Sequence, residues 1–120
     1  MENTEKKQKL ELYIHIPFCK KKCAYCDFLS APATDFIKEQ YVQSLLLEIE
    51  EKAPFYQAYE VPTIFIGGGT PSILRAGFLC DIMETVQRLF HVQKDAEITI
   101  ECNPKTLSPE KLMFYKKAGI

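Results

Sequence analysis

The segment Thr63-Ile64-Phe65-Ile66-Gly67-Gly68-Gly69 joins a short apolar run to a triple glycine. Four β-forming residues that end at glycine are typical of a buried strand followed by a tight turn. From about residue 76 to residue 90, apolar residues recur at helical spacing. We therefore predict a strand that begins at Val61, a glycine-rich loop and a helix, which together make one β/α unit.

A similar unit precedes this segment. Residues 10–16 alternate and are rich in strand formers, and Pro17 ends the run. After a cysteine-rich loop, Asp35 is expected to cap a helix that Pro54 ends. The apolar residues of this helix fall on one broad face: Ile37, Tyr41, Val42, Leu45, Leu46 and Ile49.

A third unit follows. Residues 97–101 are predicted to form a strand, which Asn103-Pro104 breaks. Ser108-Pro109 is a strong helix start, because serine caps a helix and proline suits its first turn. Gly119 stands where a helix C-terminal glycine is expected.

Strands that alternate with helices predict a parallel sheet with right-handed crossovers. Three such units cannot close a barrel. We therefore predict an α/β fold that contains the first three β/α units of a larger, partial TIM barrel and is truncated before strand 4. In this scheme residues 1–9 are a polar N-terminal tail, and residues 10–120 are the N-terminal part of an incomplete core domain.

The chemically unusual segments each follow the C-terminal end of a predicted strand. They are residues 19–26, 67–71 and 101–104. Parallel α/β folds place their active sites at this edge of the sheet. The sequence therefore predicts one site to which all three segments contribute.

The strongest chemical signal is the C-x₃-C-x₂-C spacing of Cys19, Cys23 and Cys26. Thiolates are soft ligands that suit iron–sulfur clusters. A [4Fe–4S] cube held by three cysteines keeps one iron without a protein ligand, and that iron can bind a small molecule. Two alternatives remain open at this point: a structural zinc site with His15 as fourth ligand, and cysteines that hold no metal.

The composition is that of an ordinary globular domain of 120 residues, with 15 basic and 16 acidic residues and a formal net charge of −1. Lys20-Lys21-Lys22 is the one local basic excess, so nucleic acid is not an expected partner.

Neither a signal peptide nor a transmembrane segment is expected, and a cytoplasmic location is the simplest interpretation. Five cysteines, an odd number, do not suggest a disulfide framework in that compartment.

The motifs resemble those of the radical S-adenosylmethionine (radical SAM) superfamily. Within it, the chain is most similar to the oxygen-independent coproporphyrinogen III oxidases and the related HemW-type haem chaperones. The resemblance runs from Leu12 onward through motifs in the family's order: residues 13–19 (YIHIPFC), 25–28 (YCDF), 65–72 (FIGGGTPS), 98–104 (ITIECNP) and 118–120 (AGI).

This resemblance implies a [4Fe–4S] cluster whose open iron chelates S-adenosylmethionine. In the family, an electron from the cluster cleaves this cofactor, and the resulting 5′-deoxyadenosyl radical abstracts hydrogen from a substrate. The family's cofactor contacts fall on six residues of this chain: Tyr13, Tyr25, Gly68, Gly69, Thr70 and Glu101. From the residues alone, a strand–helix turn, core aromatics and a solvated carboxylate would explain the same positions.

The residues after the third cysteine distinguish the two related groups. Asp27-Phe28 resembles the HemW-type proteins, whereas the oxidases continue with Gly-Cys. The first expectation is therefore a haem chaperone that delivers haem to acceptor proteins, and the alternative is a porphyrinogen-modifying oxidase. Haem binding is expected only because of the resemblance, and the haem site is expected beyond this segment. Whether the protein is an enzyme stays open, and this segment alone is not expected to turn over cofactor.

Two further cysteines are expected to have structural roles, and one histidine is assigned no role. Cys80 is expected to pack beside the apolar stripe of the second helix, and Cys102 to act as a small buried hydrophobe. His91 follows that helix and is assigned no role.

Overall fold

A computed structural model describes residues 8–18 and 34–120 of the chain. The predicted cluster ligands Cys19, Cys23 and Cys26, together with Tyr25 and Asp27-Phe28, lie outside the described residues. The architecture therefore comes from the strands and helices on either side of the cysteine motif.

The described strands form one parallel sheet. They are β1 (Gln8–Lys9), β2 (Leu12–Ile16), β3 (Tyr59–Gly68) and β4 (His91–Ile100). β3 is central: β1 and β2 follow one another along one of its edges, and β4 pairs with the other edge. The order of the units along the chain is thus their order across the sheet, as in the first part of a β/α barrel.

Three helices follow the strands: α1 (Asp35–Lys52), α2 (Ala76–Leu89) and α3 (Pro109–Lys117). Short 3₁₀ turns lie at Ala53–Tyr56, Pro71–Ile73 and Pro104–Thr106. No helix among the described residues has the length and hydropathy that a membrane span requires. The predicted succession of β/α units is confirmed.

The core lies between the helices and one face of the sheet. The buried side chains on that face alternate along the strands, as a half-covered sheet requires. From the sheet they are Ile14, Ile16, Ile64 and Ile66, and from the helices they include Val42, Leu79, Ile82, Met83 and Val86. On the opposite face, Tyr13 and Phe65 are exposed.

The strand boundaries differ from those predicted. The sheet begins at β1, before Leu10, and both β3 and β4 start earlier than expected. β3 starts two residues before the predicted Val61, because Tyr59 and Glu60 pair with Gln8 and Lys9 of β1. The β3–β4 register shifts at Pro62: Val61 pairs with Val92 and Thr63 with Glu97, so β4 carries the extra residues. β4 also ends at Ile100, one residue before Glu101.

The helix ends confirm two predictions and correct a third. Ser108 Oγ accepts a hydrogen bond of 3.1 Å from the Lys111 amide, and Gly119 has φ +93°. Asp35, however, does not cap α1. Thr34 does so, since its Oγ1 accepts from the Ile37 amide at 3.2 Å.

Candidate cofactor site

Two of the motifs meet at the C-terminal edge of the sheet. The Glu101 amide donates to the carbonyl of Ile66 at 3.0 Å, which extends the β3–β4 pairing by one step. The Glu101 carboxylate then accepts a hydrogen bond of 3.0 Å from the Gly68 amide through Oε1. An acidic side chain and an exposed backbone segment are thereby brought together, as the sequence predicted.

The glycine-rich loop has no room for side chains. A Cβ at Gly67 would lie 2.7 Å from Glu101 Oε1, and Gly68 has φ +119°, with its Cβ position 2.8 Å from the His15 ring. A Cβ at Gly69 would overlap the Phe18 carbonyl. These glycines are needed for close approach between neighbouring backbones and for positive φ.

The same loop is tied to the strand that leads into the cysteine motif. The Gly69 amide donates to the Ile16 carbonyl at 2.8 Å, and the Thr70 amide donates to the Phe18 carbonyl at 2.6 Å. Phe18 is buried and directly precedes Cys19 in the sequence. The point where the chain enters the cysteine motif is therefore fixed against the glycine-rich loop.

Tyr41 of α1 contacts both Phe18 and His15. Its ring packs edge-on against Phe18 with centroids 5.3 Å apart, and its hydroxyl donates to the His15 carbonyl. Burial raises the pKa of Tyr41, and Glu48 and Tyr13 raise it further. The hydroxyl therefore stays protonated and remains a donor at neutral pH.

Tyr13 lies on the open face of the sheet, on the same side as Glu101. It is 58% exposed and stacks on Phe65, with centroids 5.9 Å apart and planes 15° apart. Its hydroxyl lies 3.3 Å from His15 Nδ1. The interpretation of Tyr13 as a core aromatic is wrong. Phe65 was not predicted as a site residue and His15 was considered only as a fourth zinc ligand, although the alternation of both with buried isoleucines indicates this face.

Behind the site, a polar network joins the loop after β3 to the loop after β4. Ser72 is fully buried; its Oγ accepts from the Asn103 amide at 3.0 Å and contacts Thr106 Oγ1. Lys111 Nζ donates to the carbonyls of Ser72 at 2.6 Å and of Thr106 at 2.8 Å. Burial lowers the pKa of Lys111, and Lys38 lowers it further, while Cys102 acts in the opposite direction. No role in the site was predicted for these residues, and Asn103 was predicted only to break the third strand.

The remaining cysteines are not part of a hydrophobic interior. Cys102 is exposed, so its prediction as a small buried hydrophobe is wrong. Cys80 is partly buried and lines a groove of about 390 Å³ between α2 and α3, with Sγ 3.9 Å from the Phe114 carbonyl. Partial desolvation raises the pKa of both thiols, which keeps them protonated at neutral pH.

The residues present fit a cluster with a small polar cofactor beside it. The donor chemistry is that of three thiolates in the cysteine motif. The glycine-rich segment lies at the C-terminal edge of the sheet, where Gly68 is exposed, and a carboxylate suited to amino or hydroxyl donors lies next to it. The glycine-rich segment and the carboxylate stand at one edge of a parallel sheet, where α/β folds bind cofactors.

Comparison with known proteins identifies the family. The model of the radical SAM superfamily matches residues 13–120. The chain therefore belongs to the radical SAM superfamily.

Similar proteins include the heme chaperone HemW of Buchnera aphidicola (Schizaphis graminum strain), which is 44% identical over 92% of this chain. The Escherichia coli heme chaperone HemW is 43% identical over the same share. In each case the match spans 30% of the relative's own length. The chain thus corresponds to less than a third of these relatives.

A solved structure has the same fold. The coproporphyrinogen III oxidase HemN from Escherichia coli, described as a radical SAM enzyme, superposes with a TM-score of 0.87 at 32% identity. The match covers 95% of this chain and 26% of that structure. The likeness confirms the predicted α/β fold.

Proposed function

We propose that this chain forms the N-terminal part of a radical SAM protein that binds a [4Fe–4S] cluster and S-adenosylmethionine at the C-terminal edge of its sheet. The observation that carries the proposal is the hydrogen bond from the Gly68 amide to Glu101 Oε1, beside the segment that leads into Cys19. The Thr70 amide also donates to the carbonyl of Phe18, the residue before Cys19, and this proximity of carboxylate, glycine-rich segment and cysteine motif supports the proposal.

In this proposal Cys19, Cys23 and Cys26 hold the cluster and leave one iron open for the cofactor. When bound, the cluster supplies the electron for reductive cleavage of S-adenosylmethionine. The polypeptide binds and orients the cofactor and keeps competing reactions away from it.

The roles of the other residues follow from their positions. Gly68, Gly69 and Thr70 form the edge that receives the methionine end of the cofactor. Their amides donate to Glu101, Ile16 and Phe18, and these hydrogen bonds hold the segment in place. Glu101 accepts hydrogen bonds from a ribose or an ammonium group. Tyr13 presents its exposed ring on the same face, and Tyr25 is assigned to the adenine.

For the full-length protein, we propose a haem chaperone that inserts haem into acceptor proteins and acts in the cytoplasm. Relatives named heme chaperone HemW, at 43–44% identity, and the Asp27-Phe28 sequence support this assignment. An oxygen-independent coproporphyrinogen III oxidase is the second candidate, which the structural similarity to HemN supports.

The test of the cluster compares three forms of the full-length protein after anaerobic reconstitution. They are the wild type, a Cys19→Ala/Cys23→Ala/Cys26→Ala variant, and a Cys80→Ala/Cys102→Ala control. We expect about four irons per chain in the wild type and the control, and almost none in the triple variant. Zinc in place of iron, or equal iron in all forms, would reject the proposal and favour a metal-stabilised binding module.

A second assay separates the chaperone from the oxidase. Full-length protein with S-adenosylmethionine and a reductant is incubated with coproporphyrinogen III, and haem binding is measured separately by visible absorbance. Haem binding without decarboxylation is the expected result. Decarboxylation that depends on Cys19, Cys23 and Cys26 would establish the oxidase instead.

A further inference from the structure

The polar network behind the site contains a closed ring of hydrogen bonds with a defined direction. Thr106 Oγ1 donates to the Asn103 carbonyl at 2.8 Å. A hydroxyl has one hydrogen to donate, so in the contact between Ser72 and Thr106 the donor must be Ser72. Ser72 Oγ in turn accepts from the Asn103 amide at 3.0 Å. The ring therefore starts and ends at Asn103.

This Ser72–Thr106–Asn103 ring joins the loops that carry the proposed cofactor contacts. Ser72 lies two residues after Thr70, and Asn103 lies two residues after Glu101. The regular pairing of β3 with β4 stops at Ile66 and Ile100, just before these contacts. Beyond that point, the Gly68–Glu101 hydrogen bond and the ring connect the two loops.

Lys111, on α3, forms hydrogen bonds with both loops that the ring joins. Its ammonium donates to the carbonyls of Ser72 and Thr106, one in each loop. A charged donor forms stronger hydrogen bonds than a neutral one, and a partly buried site strengthens them further. The first turn of α3, begun by the Ser108 cap, carries Lys111 to this position.

We propose that Ser72, Thr106 and Lys111 are positioning residues: they lock the loop after β3 to the loop after β4, and so hold Glu101 against Gly68 in the geometry that binds the cofactor. None of the three needs to touch the cofactor. The inference rests on the proposed function for its effect on cofactor affinity, but the coupling of the two loops is a property of the polypeptide itself.

The test uses Thr106→Val, which keeps the shape but removes the hydroxyl, and Thr106→Ser, which restores it. Lys111→Met is the second variant, with Lys116→Met, an exposed lysine of the same helix, as its control. The affinity of the reconstituted full-length protein for S-adenosylmethionine is measured at equal iron content. Hydrogen exchange of residues 67–74 and 101–106 is measured without cofactor.

We expect Thr106→Val and Lys111→Met each to weaken cofactor binding about tenfold, as the loss of one partner in a buried network implies. Thr106→Ser and Lys116→Met should stay within about twofold of the wild type. The two loops should exchange faster together in the weakened variants. Because the residues share one network, the Thr106→Val/Lys111→Met double variant should lose less than the product of the single effects.

Lower thermal stability with unchanged cofactor affinity would overturn the inference, because the ring would then support only the fold. If the wild type binds no S-adenosylmethionine, the proposed function fails. Hydrogen exchange then decides the inference separately: joint acceleration of both loops supports the coupling, and acceleration of one loop or neither rejects it.

Discussion

The Glu101 carboxylate and the Gly68 amide are linked by a hydrogen bond of 3.0 Å that joins the last residue of β3 to the loop after β4, 33 residues away in sequence. The Gly68 amide can make this contact because its residue adopts φ +119°. The side chain of Glu101 reaches it because Gly67 has no Cβ, which would lie 2.7 Å from Oε1. The carboxylate and the glycine-rich loop therefore constitute one structural unit.

Glu101→Gln is expected to weaken S-adenosylmethionine binding by about tenfold, because the amide keeps an acceptor oxygen but loses the charge that strengthens its hydrogen bonds. The matched control is Glu97→Gln, which removes one negative charge from β4, four residues before Glu101. Calorimetric titration of the reconstituted protein measures both affinities. Equal losses in the two variants would show that general charge, and not the Glu101 contact, is responsible.

Gly68→Ala and Gly77→Ala should change stability in opposite directions. At Gly68 the new Cβ lies 2.8 Å from the His15 ring and from the Ile16 carbonyl, at a positive φ, so we expect a loss of about 1–3 kcal/mol. At Gly77, in the first turn of α2, nothing lies within 4 Å of the new Cβ. Alanine there should raise the free energy of unfolding by about 0.5–1 kcal/mol.

Chemical unfolding of the cluster-free protein measures both changes. A Gly68→Ala variant as stable as the wild type would contradict the described loop geometry. A destabilised Gly77→Ala variant would show that this position is more crowded than the structure indicates.

Tyr115→Phe is expected to raise the free energy of unfolding by about 1 kcal/mol. Tyr115 is 4% exposed, and within residues 8–18 and 34–120 its hydroxyl has no hydrogen-bond partner. Burial, with smaller effects from Cys102 and Cys80, raises its pKa from the usual 10.0 to about 12. The unfolded chain therefore releases this proton at lower pH than the folded chain.

The sign of the pH dependence follows from that difference. Between about pH 10 and pH 12, the unfolded state binds fewer protons at this group, so the Tyr115 contribution to stability falls as pH rises. The Tyr115→Phe variant should lose less stability over this range. Parallel stability curves for the two proteins would contradict the described burial of Tyr115.

The sequence predicted the elements whose signals are local. Ser108-Pro109 and Gly119 identified the ends of α3, and the motifs at residues 67–71 and 101–104 were placed at one edge of the sheet. The early start of β3 was missed because it depends on the pairing of Tyr59 and Glu60 with β1, a contact between residues about 50 positions apart in sequence. Thr34 was missed as the cap of α1 because Asp35 is an equally good cap by residue type.

The supporting residues of the site could not be predicted in the same way. Lys111 occupies a helix position typical of a solvated lysine, and only the folded chain brings it to the Ser72 carbonyl, 39 residues away in sequence. Cys102 was expected to be buried because of its residue type, but β4 ends at Ile100 and leaves it exposed. Contacts between distant polar groups have no periodicity that a sequence pattern could reveal.

The measurement that tests the central claim most directly is the electron paramagnetic resonance spectrum of the reduced, reconstituted full-length protein, with and without S-adenosylmethionine. If the cluster keeps one iron open beside Gly68 and Glu101, the cofactor should change its signal, and Glu101→Gln should require a higher cofactor concentration for the same change. A cluster signal identical in both samples would contradict the account, because the cluster would then have no site for the cofactor.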